Sequence, residues 1–159
     1  MHLGAVHAVH GQGAAEPAQA GFAEPAEVSS ERFQALLPRV VARVVSDAQA
    51  AREAMRTGGF ILDESTVVLR LNPHTDCLEM FCDVGLPLPG PDTREQTLRA
   101  AMEMNLCRTH PGVTFGLDPE SGRLVATTAM HMLLVADDEV CLQALDLLTG
   151  LVGQLRANR

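Results

Sequence analysis

Apolar residues near the start of the chain recur at three- and four-residue intervals, which is the spacing of one helix face. Ser29 or Ser30 can cap this helix, which is predicted to continue to Met55 or Arg56, and Gly58-Gly59 ends it. Pro38 either kinks the helix or stands in its first turn. The apolar stripe is broad and consists of Phe33, Leu36, Leu37, Val40, Val41, Val44, Val45 and Ala48.

Strand-like segments and two further helices follow. Three segments are strand-like: residues 60–62 are a short apolar run, and residues 66–71 and 77–84 place alternate side chains on opposite faces. Because tight polar turns separate them, they predict an antiparallel meander. A helix to about residue 107, strands at 113–117 and 123–132 joined by the turn DPESG, and a last helix from residue 137 or 138 complete the chain. The order α-β-β-β-α-β-β-α predicts an α+β fold, with three helices on an antiparallel five-stranded sheet.

The first 28 residues have a different composition. They are rich in Ala, Gly, Pro and Glu and lack periodicity, so we expect residues 1–28 to be a flexible arm and residues 29–159 to be a single domain. His2, His7 and His10 could gather a metal ion, but histidines in such a tail are more often incidental, and no metal is expected.

Composition narrows the class of partner. The formal net charge is −8 and all 12 basic residues are Arg. Because neutralising phosphates supplies most nucleic-acid affinity, neither a nucleic acid nor an anionic membrane is expected as a partner. The chain shows no signal peptide and no apolar stretch long enough to cross a bilayer, so we expect no membrane insertion and a cytoplasmic location. Four separated cysteines are expected to be reduced and metal-free: Cys77, Cys82, Cys107 and Cys141.

Motifs for catalysis and for cofactors are weak. Neither a phosphate-binding glycine motif nor HExxH occurs, so no cofactor is expected and the chain is predicted not to be an enzyme. The alternative is a thiol enzyme using Cys77 with His74, which lies in the preceding turn, but a Cys-His nucleophile also needs an oxyanion hole.

Three segments resemble the CesT/SycE family of type III secretion chaperones: FILDESTVVLRL, LEMFCDVGLPLP and LRAAMEMNLCRTHPGVTFGLDPESGRLV. Asn105-Leu106, Leu117-Asp118 and Gly122 stand where the family pattern expects them, and the resemblance covers about residues 33–155. It implies a homodimer that binds an extended N-proximal segment of a secreted effector in the bacterial cytosol, without ATP. The arm and the long first helix with Pro38 depart from the family pattern near its cargo groove. The alternative is a regulatory or scaffold protein of the secretion system that has the same fold and binds a folded partner.

Two surfaces follow from the pattern and the resemblance. The dimer contact is predicted on the second helix, through Leu98, Met102, Asn105 and Leu106. The cargo groove is predicted between the first helix and the short first strand, which is expected to lie near a sheet edge. Its residues are Phe33, Leu36, Leu37, Val40, Val44, Phe60 and Leu62; the alternative is that the whole stripe is core. The opposite sheet face is expected to have exposed apolar area, contributed by Val68, Phe81, Thr127 and Ala129. This area would serve as a surface for a partner; the alternative is that the first helix covers it.

Overall fold

The computed structural model describes residues 25–85, 91–107 and 110–157. Its elements are α1 (Pro25–Val44), α2 (Ala48–Thr57), β1 (Gly59–Leu62), β2 (Ser65–Asn72), β3 (Cys77–Asp83), α3 (Pro91–Cys107), β4 (Val113–Leu117), β5 (Leu124–His131), a single 3₁₀ turn η1 (Met132–Leu134) and α4 (Asp138–Ala157). Most of the predicted arm lies outside the described residues, and its flexibility stays a prediction.

The five strands form one antiparallel sheet in the order β1-β2-β3-β5-β4. The predicted α+β fold is therefore confirmed, and β1 lies at a sheet edge as expected. Asp63 and Glu64 join β1 to β2 with φ of 48° and 61°, the left-handed backbone that two-residue hairpin turns require. Gly58 also has positive φ, and a Cβ there would lie 2.2 Å from the Leu69 carbonyl oxygen, so only glycine fits this close approach.

The prediction of one continuous first helix is wrong. The chain leaves the helix after Val44, and Asp47 begins a second helix by accepting hydrogen bonds from the backbone N–H groups of Gln49 and Ala50 at 3.1 and 2.7 Å. The domain therefore has four helices instead of three. The first of them begins at Pro25, earlier than the predicted serine cap, and contains Pro38 in its interior.

The helices pack on one face of the sheet. Strand residues that point to this face are buried, for example Val67, Leu69, Met80 and Ala126, while their sequence neighbours are partly or fully exposed. This alternation follows from the two-residue period of a strand. Leu145, Leu148 and Val152 of α4 complete the core with the α1 side chains. The opposite sheet face is left uncovered by the described residues.

Arg156 fixes the end of α4 to the sheet. Its guanidinium donates hydrogen bonds of 2.8 Å to the carbonyl oxygens of Val84 and Asp83, and one of 2.9 Å to the Ser65 hydroxyl. These acceptors lie at the end of β3 and the start of β2. One cationic side chain therefore joins three elements by charge-assisted hydrogen bonds.

Candidate functional site

The residues predicted to line a groove on α1 and β1 fall into two groups. Four of them have side chains that are at most 7% exposed and belong to the core: Leu36, Leu37, Val40 and Phe60. The other three are partly buried and pack against the core: Phe33, Val44 and Leu62. Most of the stripe is thus used to hold α1 on the domain. The groove that α1 forms lies against η1, and no residue of β1 lines it.

This groove, here called the α1–η1 groove, encloses about 440 Å³. Its walls are one face of α1 and the segment that follows β5. The lining residues are Arg32, Ala35, Leu36, Arg39, Met132, Leu133, Val135 and Ala136. Six of the eight are apolar, and the two arginines are both on α1. The exposed area of the groove is shared between polar and apolar atoms, and such a concave surface can accommodate a peptide segment with both kinds of side chain.

Hydrogen bonds hold η1 in place beside α1. The Met132 N–H donates to the Asp76 carbonyl oxygen at 2.8 Å, and the Leu133 N–H donates to the His131 imidazole Nδ1 at 3.3 Å. Met132 is buried, whereas Leu133 and Leu134 are 67% and 72% exposed. Two leucines of η1 are therefore held in solvent, and Leu133 is the one that lines the groove. The sequence did not lead us to predict these exposed leucines. The signal was a run of four apolar residues directly after a strand, since the core could not be expected to bury all four.

The two edge strands, β1 and β4, each have an exposed apolar residue, Ile61 and Leu117. They differ in the backbone groups that remain free to pair with another strand. At β1 the Gly58 carbonyl oxygen accepts from Leu69 N–H, and antiparallel alternation then directs the N–H and C=O of Ile61 outward. The Ile61 side chain is 72% exposed. At β4 the Asn105 side chain occupies the edge, since its Nδ2 donates to the Phe115 carbonyl and its Oδ1 accepts from Phe115 N–H, both at 2.8 Å.

The predicted dimer residues on α3 are not equivalent. Met102 and Leu106 are 48% and 83% exposed, and Leu98 is partly buried against the core. Asn105 is bonded within its own chain, to β4. Leu117, at the end of β4, is also exposed and was not predicted. Met102, Leu106 and Leu117 are called the α3/β4 surface below.

The uncovered sheet face carries the apolar residues expected there. Val68, Phe81 and Thr127 are partly exposed and follow each other across three paired strands. They line a shallow cavity of about 550 Å³. Two ion pairs occupy the same face, Arg70 with Glu79 and Arg123 with Asp83. Asp118 also lines this cavity and is bonded to Ser121, without an ion pair among the described residues.

Cys77 and His74 each have a hydrogen bond to a neighbouring residue. The Cys77 thiol donates to the Thr75 carbonyl at 3.3 Å, and the His74 backbone N–H donates to the Asn72 side chain. Burial raises the pKa of Cys82, and it raises the pKa of the Cys141 thiol to about 12, so both are protonated at neutral pH. Among the described residues, no group of three His, Cys, Asp or Glu side chains could hold a metal ion. The three N-terminal histidines lie outside them.

Comparison with solved structures finds the same fold in chains of two complexes. A chain of the HopA1-SchA chaperone-effector complex aligns with a TM-score of 0.58 at 17% identity, covering 82% of this chain and 97% of the other. A chain of the ExsC-ExsE complex aligns with a TM-score of 0.59 at 17% identity, covering 80% and 92%. No curated protein matches the sequence. Within the described ranges, no helix is long and apolar enough to cross a membrane.

The family itself is established by sequence. The profile of the Tir chaperone protein (CesT) family matches residues 49–156, which span α2 to the last turn of α4. This range is more than half of the 159 residues. The resemblance stated from the sequence segments is confirmed, and the chain belongs to the Tir chaperone protein (CesT) family.

Proposed function

We propose that this chain is a cytoplasmic type III secretion chaperone, without enzymatic activity. It binds an extended N-proximal segment of a secreted effector and keeps that segment competent for secretion, without ATP. Family membership supports the assignment, and so does the fold shared with chains of two complexes, one of them a chaperone-effector complex. The observation that carries the proposal is the α1–η1 groove, with two leucines held in solvent beside it.

The groove explains how an unfolded segment is recognised. An extended segment has no core of its own, and its apolar side chains gain from leaving water. The groove offers Ala35, Leu133 and Ala136 as exposed apolar residues, while the other apolar lining residues behind them are buried. Burying an apolar side chain there contributes roughly 25 cal/mol per Å². Such contacts add to the binding of a non-globular segment.

The open edge of β1 supplies a second mode of contact. Its outward N–H and C=O groups at Ile61 can pair with one residue of an added strand. Main-chain pairing depends little on side-chain identity, so it suits a segment whose order comes only from binding. The edge is short, with four residues, and it adds to the groove rather than replacing it.

The chain is proposed to work as a homodimer. The α3/β4 surface has three exposed large apolar side chains on adjoining elements, Met102, Leu106 and Leu117. A two-fold contact uses the same patch on both subunits and buries it twice. Of the predicted interface residues, Met102 and Leu106 are the ones with side chains available for this contact.

Cargo capture tests the proposed function. The tagged chain is expressed in the bacterium that encodes it, and co-purifying proteins are identified by mass spectrometry. We expect a secreted protein that is held through its N-proximal part. Leu133→Asp should lower the capture more than tenfold, because it replaces an exposed apolar contact with a carboxylate that the cargo would have to cover. Leu147→Asp is the matched control, since Leu147 is an exposed leucine on α4 away from the groove.

Two results would count against the proposal. Enrichment of no secreted protein over an untagged culture would refute the chaperone function. Equal capture by Leu133→Asp and by Leu147→Asp would show that cargo is held elsewhere, on β1 or on the uncovered sheet face. Both leucines are at least 43% exposed, so neither variant should unfold, and melting curves check this.

A further inference from the structure

Two arginines stand along the α1 wall of the α1–η1 groove. Arg32 and Arg39 are seven residues apart, which is close to two full helical turns, so they lie on the same face about 10 Å apart along the axis. Ala35 and Leu36 stand between them. The wall therefore presents an apolar stretch with a positive charge at each end.

These charges are largely unused by the domain itself. Arg32 has no ion-pair partner among the described residues. Arg39 has one distant contact, from its Nε to Asp138 at 3.9 Å, with 55% of its side chain exposed. Asp138 is closer to Arg43, at 3.3 Å. Exposed pairs at such distances contribute little, so both groove arginines remain available to a ligand.

No acidic side chain lines the groove to cancel them. Three acids are next to lining residues in sequence: Glu31 precedes Arg32, and Asp137 and Asp138 follow Ala136. Asp137 accepts from the Val140 N–H at the start of α4, and Asp138 pairs with Arg43. The lining itself is thus positive, whereas the whole chain has a net charge of −8. Because screening at physiological salt reduces interactions beyond about 8 Å, a ligand in the groove is influenced most by the charges that it contacts, which are the two arginines of the lining.

We infer that the α1–η1 groove selects cargo segments in which acidic residues flank the apolar ones. This rests on the proposed function of the groove as the cargo site. Carboxylates of the segment pair with Arg32 and Arg39 while its apolar side chains contact the exposed Ala35 and Leu133. In an extended segment the two acids would stand two to four residues apart, given a rise of about 3.3 Å per residue and the reach of arginine.

A random peptide library tests the selection without knowledge of the cargo. Sixteen-residue peptides are displayed on phage and selected on the full-length chain, on Arg32→Gln/Arg39→Gln and on Arg52→Gln/Arg94→Gln. The last variant is the matched control, since both of its arginines are exposed, lie outside the groove and have no ion-pair partner among the described residues. We expect Asp and Glu to be enriched beside Leu, Ile, Val, Phe and Met in peptides selected on the unmodified chain and on the control variant.

Affinity measurement completes the test. For the most frequent selected peptide, labelled with fluorescein, Arg32→Gln/Arg39→Gln should raise Kd about tenfold, and the control variant should leave it unchanged within about twofold. The difference should shrink in 0.5 M NaCl. Peptides with no acid enrichment on the unmodified chain, or an equal Kd for all three proteins, would overturn the inference. The inference would also be overturned if the selected peptides bound Leu133→Asp as tightly as the unmodified chain, because they would then bind outside the groove.

The natural cargo separates this inference from the proposed function. If a secreted protein is captured equally by the unmodified chain and by Arg32→Gln/Arg39→Gln, the acid selection is refuted and the chaperone function stands. If no secreted protein is captured by the unmodified chain, the chaperone function is refuted whatever the peptides show.

Discussion

Replacing Asn105 by Ala is expected to destabilise the fold rather than the dimer. The Asn105 amide forms two hydrogen bonds of 2.8 Å with the backbone of Phe115, one as donor and one as acceptor, in a partly buried position. Phe115 is 4% exposed and is part of the core. Asn105 therefore joins α3 to the edge of β4 in the way that a neighbouring strand would. The interface role predicted for Asn105 from the sequence stays untested, and this variant tests it.

The magnitude follows from the two lost bonds. A typical intramolecular hydrogen bond contributes about 1 kcal/mol net, so the loss of both is expected to cost about 2 kcal/mol. In a domain of this size that corresponds to a fall in Tm of roughly 5–10 °C. Met102→Glu is the contrasting variant, because Met102 is 48% exposed and belongs to the α3/β4 surface. It should split the dimer by placing a charge at the contact and leave the stability of each subunit nearly unchanged.

Urea unfolding and light scattering together distinguish the two roles. Unfolding is followed at several protein concentrations, since the stability of a dimer depends on concentration. We expect Asn105→Ala to lower the free energy of unfolding at every concentration while the protein still scatters as a dimer. Glu103→Ala is the control on α3, since Glu103 is exposed. An Asn105→Ala protein that is monomeric with an unchanged Tm would refute the reasoning and place Asn105 in the interface. Unmodified chain that is monomeric at micromolar concentration would refute the dimer.

Two further predictions concern the anchor of α4 and the thiols. Arg156→Met should lower the free energy of unfolding by about 2–3 kcal/mol, because it removes three hydrogen bonds to β2 and β3; a urea midpoint equal to that of Arg52→Met would contradict this. In the folded protein a thiol reagent at pH 8 should modify the exposed Cys107 quickly and the buried Cys82 and Cys141 only after unfolding, because burial blocks access and raises the pKa of both thiols. Four equal rates, or fewer than four free thiols in denaturant, would be inconsistent with it.

Much of the fold could be predicted because local patterns determine it. Alternation of apolar residues defined β2 and β3, and Gly58 marked a helix end, where the structure ends α2 at Thr57. The break before α2 was missed, although Asp47 is a good capping residue. The apolar spacing runs across residues 45–47 without a gap, and periodicity alone cannot tell a short non-helical connection from a continuous helix.

The candidate site was harder to predict, because the exposure of an apolar helix face depends on which other elements of the fold pack against it. The stripe on α1 was noted, but a sequence does not say how much of it the domain buries. In the structure α1 packs on β2, α2, α4 and η1, and this packing buries Leu36, Leu37 and Val40. The exposed leucines of η1 follow from the path of the chain after β5. That path is set by long-range pairing, such as Met132 N–H with Asp76, which no local pattern contains.

The grouping of the exposed apolar residues links the acidic charge of the chain to its proposed function. Single exposed leucines are ordinary, whereas clusters mark contact surfaces. Most of the exposed large apolar side chains of the described residues belong to three places: Leu133 and Leu134 on η1, Ile61 at the β1 edge, and Met102, Leu106 and Leu117 on the α3/β4 surface. A protein with such apolar surfaces exposed in the absence of a bound partner is prone to self-association. A net charge of −8 opposes this by mutual repulsion between copies. Repulsion acts between whole molecules at a distance, while the two groove arginines act at contact. The same chain can therefore stay dispersed and still accept an acidic segment.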